Sequence, residues 1–320
     1  MKRLIGLTRT IYFRAVVSLL VIGLILAWLP LPEIWDAARR VSLQAWILFV
    51  FAFVLIHVVG VFKWRFIVGM GKLKLPFSFA FRCYFYGLFG NLFLPSVIGG
   101  DVVRAGMAAG HVEEKEQIII GSLIDRFLDV CAMLILILFG AVFAAEALSD
   151  QHRKILTIIS AFLAIFITTF VALIFVRIPV KIPEKLQKVV LRARLVLIHL
   201  FKNPAYALGT LCLSVLIQGS FVLLNAFLGS LCGIEVGILT WFVVWPLAKI
   251  TAMVPVSLGG IGVREVALAA FFAPFGVLYS NAVGYGFVWE AVVIAGSLLG
   301  FALTLIPWNN LFSINKTVTN

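Results

Sequence analysis

The chain has 320 residues, 63% of them hydrophobic and 12% charged, with a formal net charge of +12; mean hydropathy is +1.13. Soluble domains carry about a quarter of their residues as charges, whereas runs of roughly 20 apolar residues, several of which occur here, can cross a bilayer core. This composition excludes a soluble enzyme or a nucleic-acid binder. It points to an all-α polytopic membrane protein whose positive charge lies in loops beside an anionic cytoplasmic leaflet.

In chain order, the basic N-terminus leads into an apolar run at 15–29 with no small-residue cleavage site after it, which reads as a retained first helix. Further full spans are expected at about 45–62, 127–145, 155–176, 205–232 and 282–306, making about six. Less regular apolar stretches at 77–98, 117–126 and 238–280 carry proline, glycine and charge. Basic residues number four in 1–14, five in 63–82 and seven in 177–204, against two each in 30–44 and 146–154. That bias places the N-terminus and the loops at 63–82 and 177–204 in the cytoplasm, in an inner (plasma) membrane setting. Two cytoplasmic loops must be separated by an even number of crossings. Residues 77–126 are therefore expected to enter and leave on one side, or to cross twice. Residues 180–203 form a basic amphipathic connector that reads either as an interfacial helix or as an ordinary link. The four cysteines have no paired spacing that would suggest disulfides or a metal site, and no cofactor is implied.

Two stretches break the apolar pattern. "NLFLPSVIGGDVVR" (residues 91–104) and "MVPVSLGGIGVREVAL" (residues 253–268) share P-x-x-x-G-G-x-x-x-R. Pro95, Gly99, Gly100 and Arg104 recur as Pro255, Gly259, Gly260 and Arg264, an offset of 160, half the chain. Proline ends the incoming helix and the glycine pair permits positive φ and close backbone approach. The next helix then starts with free N–H groups that could face an anion. Paired interrupted segments in corresponding halves point to a transporter-type inverted repeat. The expected architecture is one membrane domain over 1–320, with half-repeats at about 45–176 and 205–307 and a re-entrant hairpin in each.

These two motifs, with "SLIDRFLDV" (residues 122–130), resemble the flippase-like family, also known as the lysylphosphatidylglycerol synthase transmembrane region. The resemblance covers nearly the whole chain. It implies a membrane unit that moves lipid between leaflets; the best-known members are fused to a soluble domain that makes aminoacylated phosphatidylglycerol. No soluble stretch here exceeds about 30 residues, too few for such a domain, so aminoacyl transfer by this chain is not expected. An arginine would be expected in the last span, where this sequence has Glu290.

Ionisable residues in apolar segments are costly and are functional candidates by default. Arg104 and Arg264 read as ligands for a lipid phosphate, or as partners of Asp101 and Glu265. Asp101 and Glu265 read equally as contacts to a cationic headgroup or a proton, or as structural partners. Asn91 stands at the hairpin mouth as a headgroup contact or a helix cap. Asp125, Arg126 and Asp129 open the span at 127, as interfacial anchors or as groups facing a cavity. Glu290 reads as a protonation site or a polar contact to Lys249, and His57 as packing. The expected function is translocation of a phosphate-containing lipid, an anionic phospholipid or a polyprenyl-phosphate-linked lipid. Without a nucleotide-binding loop, a gradient or a concentration difference would drive it. Two rivals remain: a membrane-embedded lipid-modifying enzyme, and a non-catalytic partner subunit of a biosynthetic enzyme.

Overall fold

A computed structural model describes residues 31–69, 73, 75–94, 99–144, 198, 202, 204–253 and 260–306. The described residues form helices and no strand: α1 (Leu31–Ala38), α2 (Leu43–Val68), α3 (Phe77–Gly90), α4 (Gly99–Ala109), α5 (Lys115–Ala144), α6 (Pro204–Leu231), α7 (Ile238–Thr251), α8 (Val263–Phe272) and α9 (Tyr279–Thr304), with a 3-10 turn at Ala273–Phe275. The expected spans at 15–29 and 155–176, the connector at 180–203 apart from Ile198 and Lys202, and Pro95, Pro255 and Gly259 lie outside the described residues.

Local chemistry sets the helix ends. The Ser42 hydroxyl accepts the Ala45 N–H at the start of α2, satisfying one of the donors every helix start leaves open. At its far end the Val68 carbonyl accepts from the Gln117 side chain at 2.7 Å. Pro204 opens α6, where a missing N–H costs nothing. Gly233, at φ 88°, ends the same helix in a left-handed cap.

Four described helices are long and apolar enough to cross a membrane, namely α2, α5 (over Lys115–Phe143), α6 and α9, with mean hydropathies of 2.7, 2.3, 2.0 and 1.8. On α2 the side chains of Leu43, Ile47, Phe51, Leu55, Phe62 and Phe66 are exposed along one face. Phe49, Phe53, Trp64 and Ile67 are buried on the other. An apolar face of that length suits contact with hydrocarbon. By contrast α3, α4, α7 and α8 have 14, 11, 14 and 10 residues. At 1.5 Å per residue each falls short of a core of about 30 Å. The order long, short, short, long thus occurs twice, as α2–α5 and as α6–α9.

The two sets pack into one core. α5 contacts α6 and α7, α9 contacts α2, α3 and α6, and α1 lies against α9. Small residues allow these approaches: a Cβ on Gly140 of α5 would sit 2.8 Å from the Leu239 carbonyl oxygen of α7.

Two boundaries differ from the sequence expectation. The span at 127–145 and the irregular stretch at 117–126 are one continuous helix, α5. α2 runs six residues past 62, so Lys63 and Arg65 are helical rather than part of a basic loop, and Arg82 lies within α3. Hydropathy drops at the first charge, but backbone hydrogen bonding continues wherever that charge finds a partner. The orientation argument accordingly loses three of the five basic residues counted in 63–82.

Candidate functional site

The first set of charges is built on α2, α4 and α5. Arg104 is 4% exposed. Its guanidinium donates to Asp101, one turn earlier on α4, at 3.1 Å, and to Asp125 of α5 at 2.9 Å. It also lies 4.9 Å from the ring centroids of both Trp64 and Tyr84, within cation–π range. Arg126 takes the other oxygen of Asp101, its Nε donating at 2.7 Å. Lys63 meets the other oxygen of Asp125 at 2.9 Å and also pairs with Asp129; its Nζ donates to the Ser214 hydroxyl of α6 at 3.0 Å. The charges therefore alternate along a chain, Arg126–Asp101–Arg104–Asp125–Lys63–Asp129.

The second set is smaller. Arg264 of α8 is buried and lies 3.2 Å from Glu265, and it pairs with Glu290 of α9. The other oxygen of Glu265 accepts the Gly262 N–H at 2.6 Å. Gly262 holds φ 84°, a left-handed conformation open chiefly to glycine. Lys249 of α7 donates to Gln218 of α6 at 2.8 Å and stands 4.7 Å from the Phe221 ring centroid.

Both sets face a cavity of about 140 Å³. Its wall includes Lys63, Arg104, Arg126, Lys249 and Arg264 with Asp101, Asp125, Asp129 and Glu290, interleaved with apolar groups such as Phe53, Leu88, Ile217, Phe221, Trp289 and Val293. Gln218 and Glu290 stand near the middle of α6 and α9. The structure thus gathers nearly all the charged candidates around one space, with Asn91 and Gly100 also on its wall. Glu265 lies behind Arg264, 1% exposed. Gly260 is buried at φ 84°.

Several sequence readings change. Of their two readings, Asp125, Arg126 and Asp129 take the cavity-facing one: they lie inside α5 and face the cavity, with Asp125 only 3% exposed. Their partners, Lys63, Asp101 and Arg104, come from other helices, so this placement waits on packing. Glu290 pairs with Arg264 rather than Lys249, whose contact is Gln218. At the start of each short second helix one N–H is already taken by a side chain. Asn91 accepts the Gly100 N–H, and Glu265 accepts that of Gly262. The Asn91 contact requires Gly100, because a Cβ there would collide with the Gly87 carbonyl oxygen and the Asn91 amide.

Lys63 and Gln218 were missed. Lys63 had been counted as loop charge, although Phe53, His57, Gly60 and Lys63, three or four residues apart, form one cavity-facing stripe of α2. That period is the signal that extends from His57 to Lys63. On α6, Ser214, Gln218 and Asn225 stand four and seven residues apart in an apolar helix and are all buried. This spacing marks an inward face.

Among the described residues no group of three or more His, Cys, Asp or Glu side chains is placed to hold a metal ion. The chemistry of the wall is that of fixed positive charges, each held near neutral partners or carboxylates, beside apolar surface. Such a wall suits an amphipathic ligand with an anionic head.

Neither the curated proteins nor the solved structures gave a significant match. Residues 14–300 match the family described as Lysylphosphatidylglycerol synthase TM region. This match spans both glycine motifs, the Ser122–Val130 segment and every charged residue of the cavity wall. The chain therefore belongs to the lysylphosphatidylglycerol synthase transmembrane-region family, as a lipid-related multi-pass membrane protein.

Proposed function

We propose that this protein is a lipid translocase rather than an enzyme, moving a phosphate-bearing lipid between leaflets. The observation that carries this reading is the cavity, in which both motif arginines, from equivalent short helices, face one space with apolar side chains beside them. The phosphate of an anionic phospholipid or a polyprenyl-phosphate-linked lipid enters the charged wall while its tails remain in hydrocarbon. Arg104 retains a buried Nε with no acceptor among the described residues, a donor left over for a phosphate oxygen. Arg264 holds two carboxylates and can exchange one for the headgroup. The pairs α3–α4 and α7–α8 act as re-entrant hairpins of an inverted repeat. The two halves rock about the cavity to open it to one leaflet and then to the other. The membrane is the inner membrane, with the N-terminus cytoplasmic.

Movement of fluorescent phosphatidylglycerol in proteoliposomes, followed by quenching of label in the outer leaflet, tests the reading. Wild type should expose the protected inner pool. Arg104→Gln and Arg264→Gln should each slow this by about tenfold or more, the rate equivalent of ~1.4 kcal/mol, compared per monodisperse protein, with Arg104→Gln also lowering the yield. Wild-type vesicles no faster than empty ones, for anionic phospholipid, zwitterionic phospholipid and polyprenyl phosphate alike, would sink it.

A further inference from the structure

We propose that Lys249, rather than either motif arginine, is the first contact of the ligand's phosphate group. The inference refines the translocation reading and takes its biological meaning from it. The argument starts from how the cations on the wall are occupied. Lys63, Arg104 and Arg126 are matched by Asp101, Asp125 and Asp129, in a chain where each carboxylate already touches a cation. Arg264 is matched twice, by Glu265 and Glu290. Among the described residues Lys249 is the cation of this wall with no carboxylate in contact. The undescribed stretches closest in sequence, 95–98 and 254–259, bring none, since they read PSVI and VPVSLG.

The Lys249 contacts are those of a charge held in place and left available. One ammonium donor goes to the neutral Gln218 carbonyl oxygen, and the Phe221 ring covers another side. An ammonium has three donors, so donors remain for an incoming oxygen. The residue is neither fully buried nor fully exposed and lies on a wall that continues into apolar surface at Phe221, Ile217 and Trp245. A charge of this kind is costly to hold inside a membrane segment, and an anion offsets that cost directly. The motif arginines come second, because each already holds two carboxylates and the Arg104 Nε that lacks an acceptor is buried. The ligand chemistry is a phosphate group, borne by a lipid or free.

The test reads binding apart from movement. Full-length protein is purified from mixed phosphatidylglycerol and phosphatidylcholine, and retained lipid is measured by native mass spectrometry. In parallel, the thermal shift given by inorganic phosphate is read in lipid-depleted detergent. Wild type should prefer phosphatidylglycerol if the lipid is the source, or be stabilised by inorganic phosphate if the free ion is. Lys249→Gln should lower that affinity about tenfold or more, the worth of a charge-assisted hydrogen bond, and Lys249→Arg should keep most of it. Gln218→Glu leaves the lysine in place but gives it a carboxylate, and should lose the preference as Lys249→Gln does. Its result stands even if Lys249→Gln folds poorly. Preference retained in both Lys249→Gln and Gln218→Glu overturns the inference, as does a wild type indifferent to both probes. Absence of lipid movement in wild type, with binding lost in these variants, would sink the translocation reading alone.

Discussion

The two halves place an arginine at the same point of the same motif, yet they surround it differently. Arg104 lies inside a chain of six alternating charges drawn from three helices, with two aromatic rings close to its guanidinium. Among the described residues Arg264 meets two carboxylates, one of them its neighbour in sequence, and the lysine of that half is held apart on a glutamine. A buried network in which every charge meets an opposite charge is rigid, and losing one member strands the others. A small cluster with a surplus carboxylate exchanges partners at lower cost. On the proposed reading, the first half is the fixed frame and the second the side that responds to a ligand.

The largest effect should come from breaking the fixed side. Asp125→Ala removes the acid shared by Lys63 and Arg104 and should cost about 3–5 kcal/mol, as loss of one partner in a buried pair does. In detergent this appears as a collapse of monodisperse yield or a large fall in the unfolding midpoint; an unchanged midpoint would remove the distinction between the halves. Gly100→Ala comes next. Crowding between Gly87 and Asn91 should cost roughly 1–3 kcal/mol, the usual range for overpacking, measured in the same way. Glu290→Gln should cost less than Asp125→Ala, about 1–2 kcal/mol, because it weakens one cation's pairing rather than two and the new amide still accepts a hydrogen bond. A double-mutant cycle with Arg264→Gln then gives the coupling of that pair. Smallest of all, Lys249→Gln should change stability by no more than about 1 kcal/mol, since no carboxylate is stranded. A larger loss would mean that Lys249 supports the fold.

Much of the fold was legible in the residues. Apolar runs placed α2, α6 and α9 to within a few residues, apart from the C-terminal end of α2, because a helix that faces lipid must be apolar over its length. Proline and glycine marked the region where α3 gives way to α4 and α7 to α8. Helix α5 was read short because Asp125, Arg126 and Asp129 look like an interface when their partners are unknown. Lys63 was misread for the same reason, as one more loop charge beside Arg65. The short helix α1, with exposed Trp35 and with Gly284 of α9 close against Glu33, falls in a stretch that reads as loop, since its eight residues are fewer than the roughly 11–18 over which a helical period is read.

By itself, the sequence determined that this chain belongs in a bilayer, where most of its helices lie, and that two half-motifs each carry an arginine. These follow from the length of apolar runs, the backbone limits of proline and glycine, and a repeat visible at fixed offset. The tertiary structure decided which carboxylate each cation meets: Asp125 for Arg104, Glu290 for Arg264, Asp125 and Asp129 for Lys63, and none in contact with Lys249 among the described residues. Helical periodicity states which side of a helix turns inward, but not which neighbour it turns toward. That choice is made by the packing of α2 to α9 around the cavity.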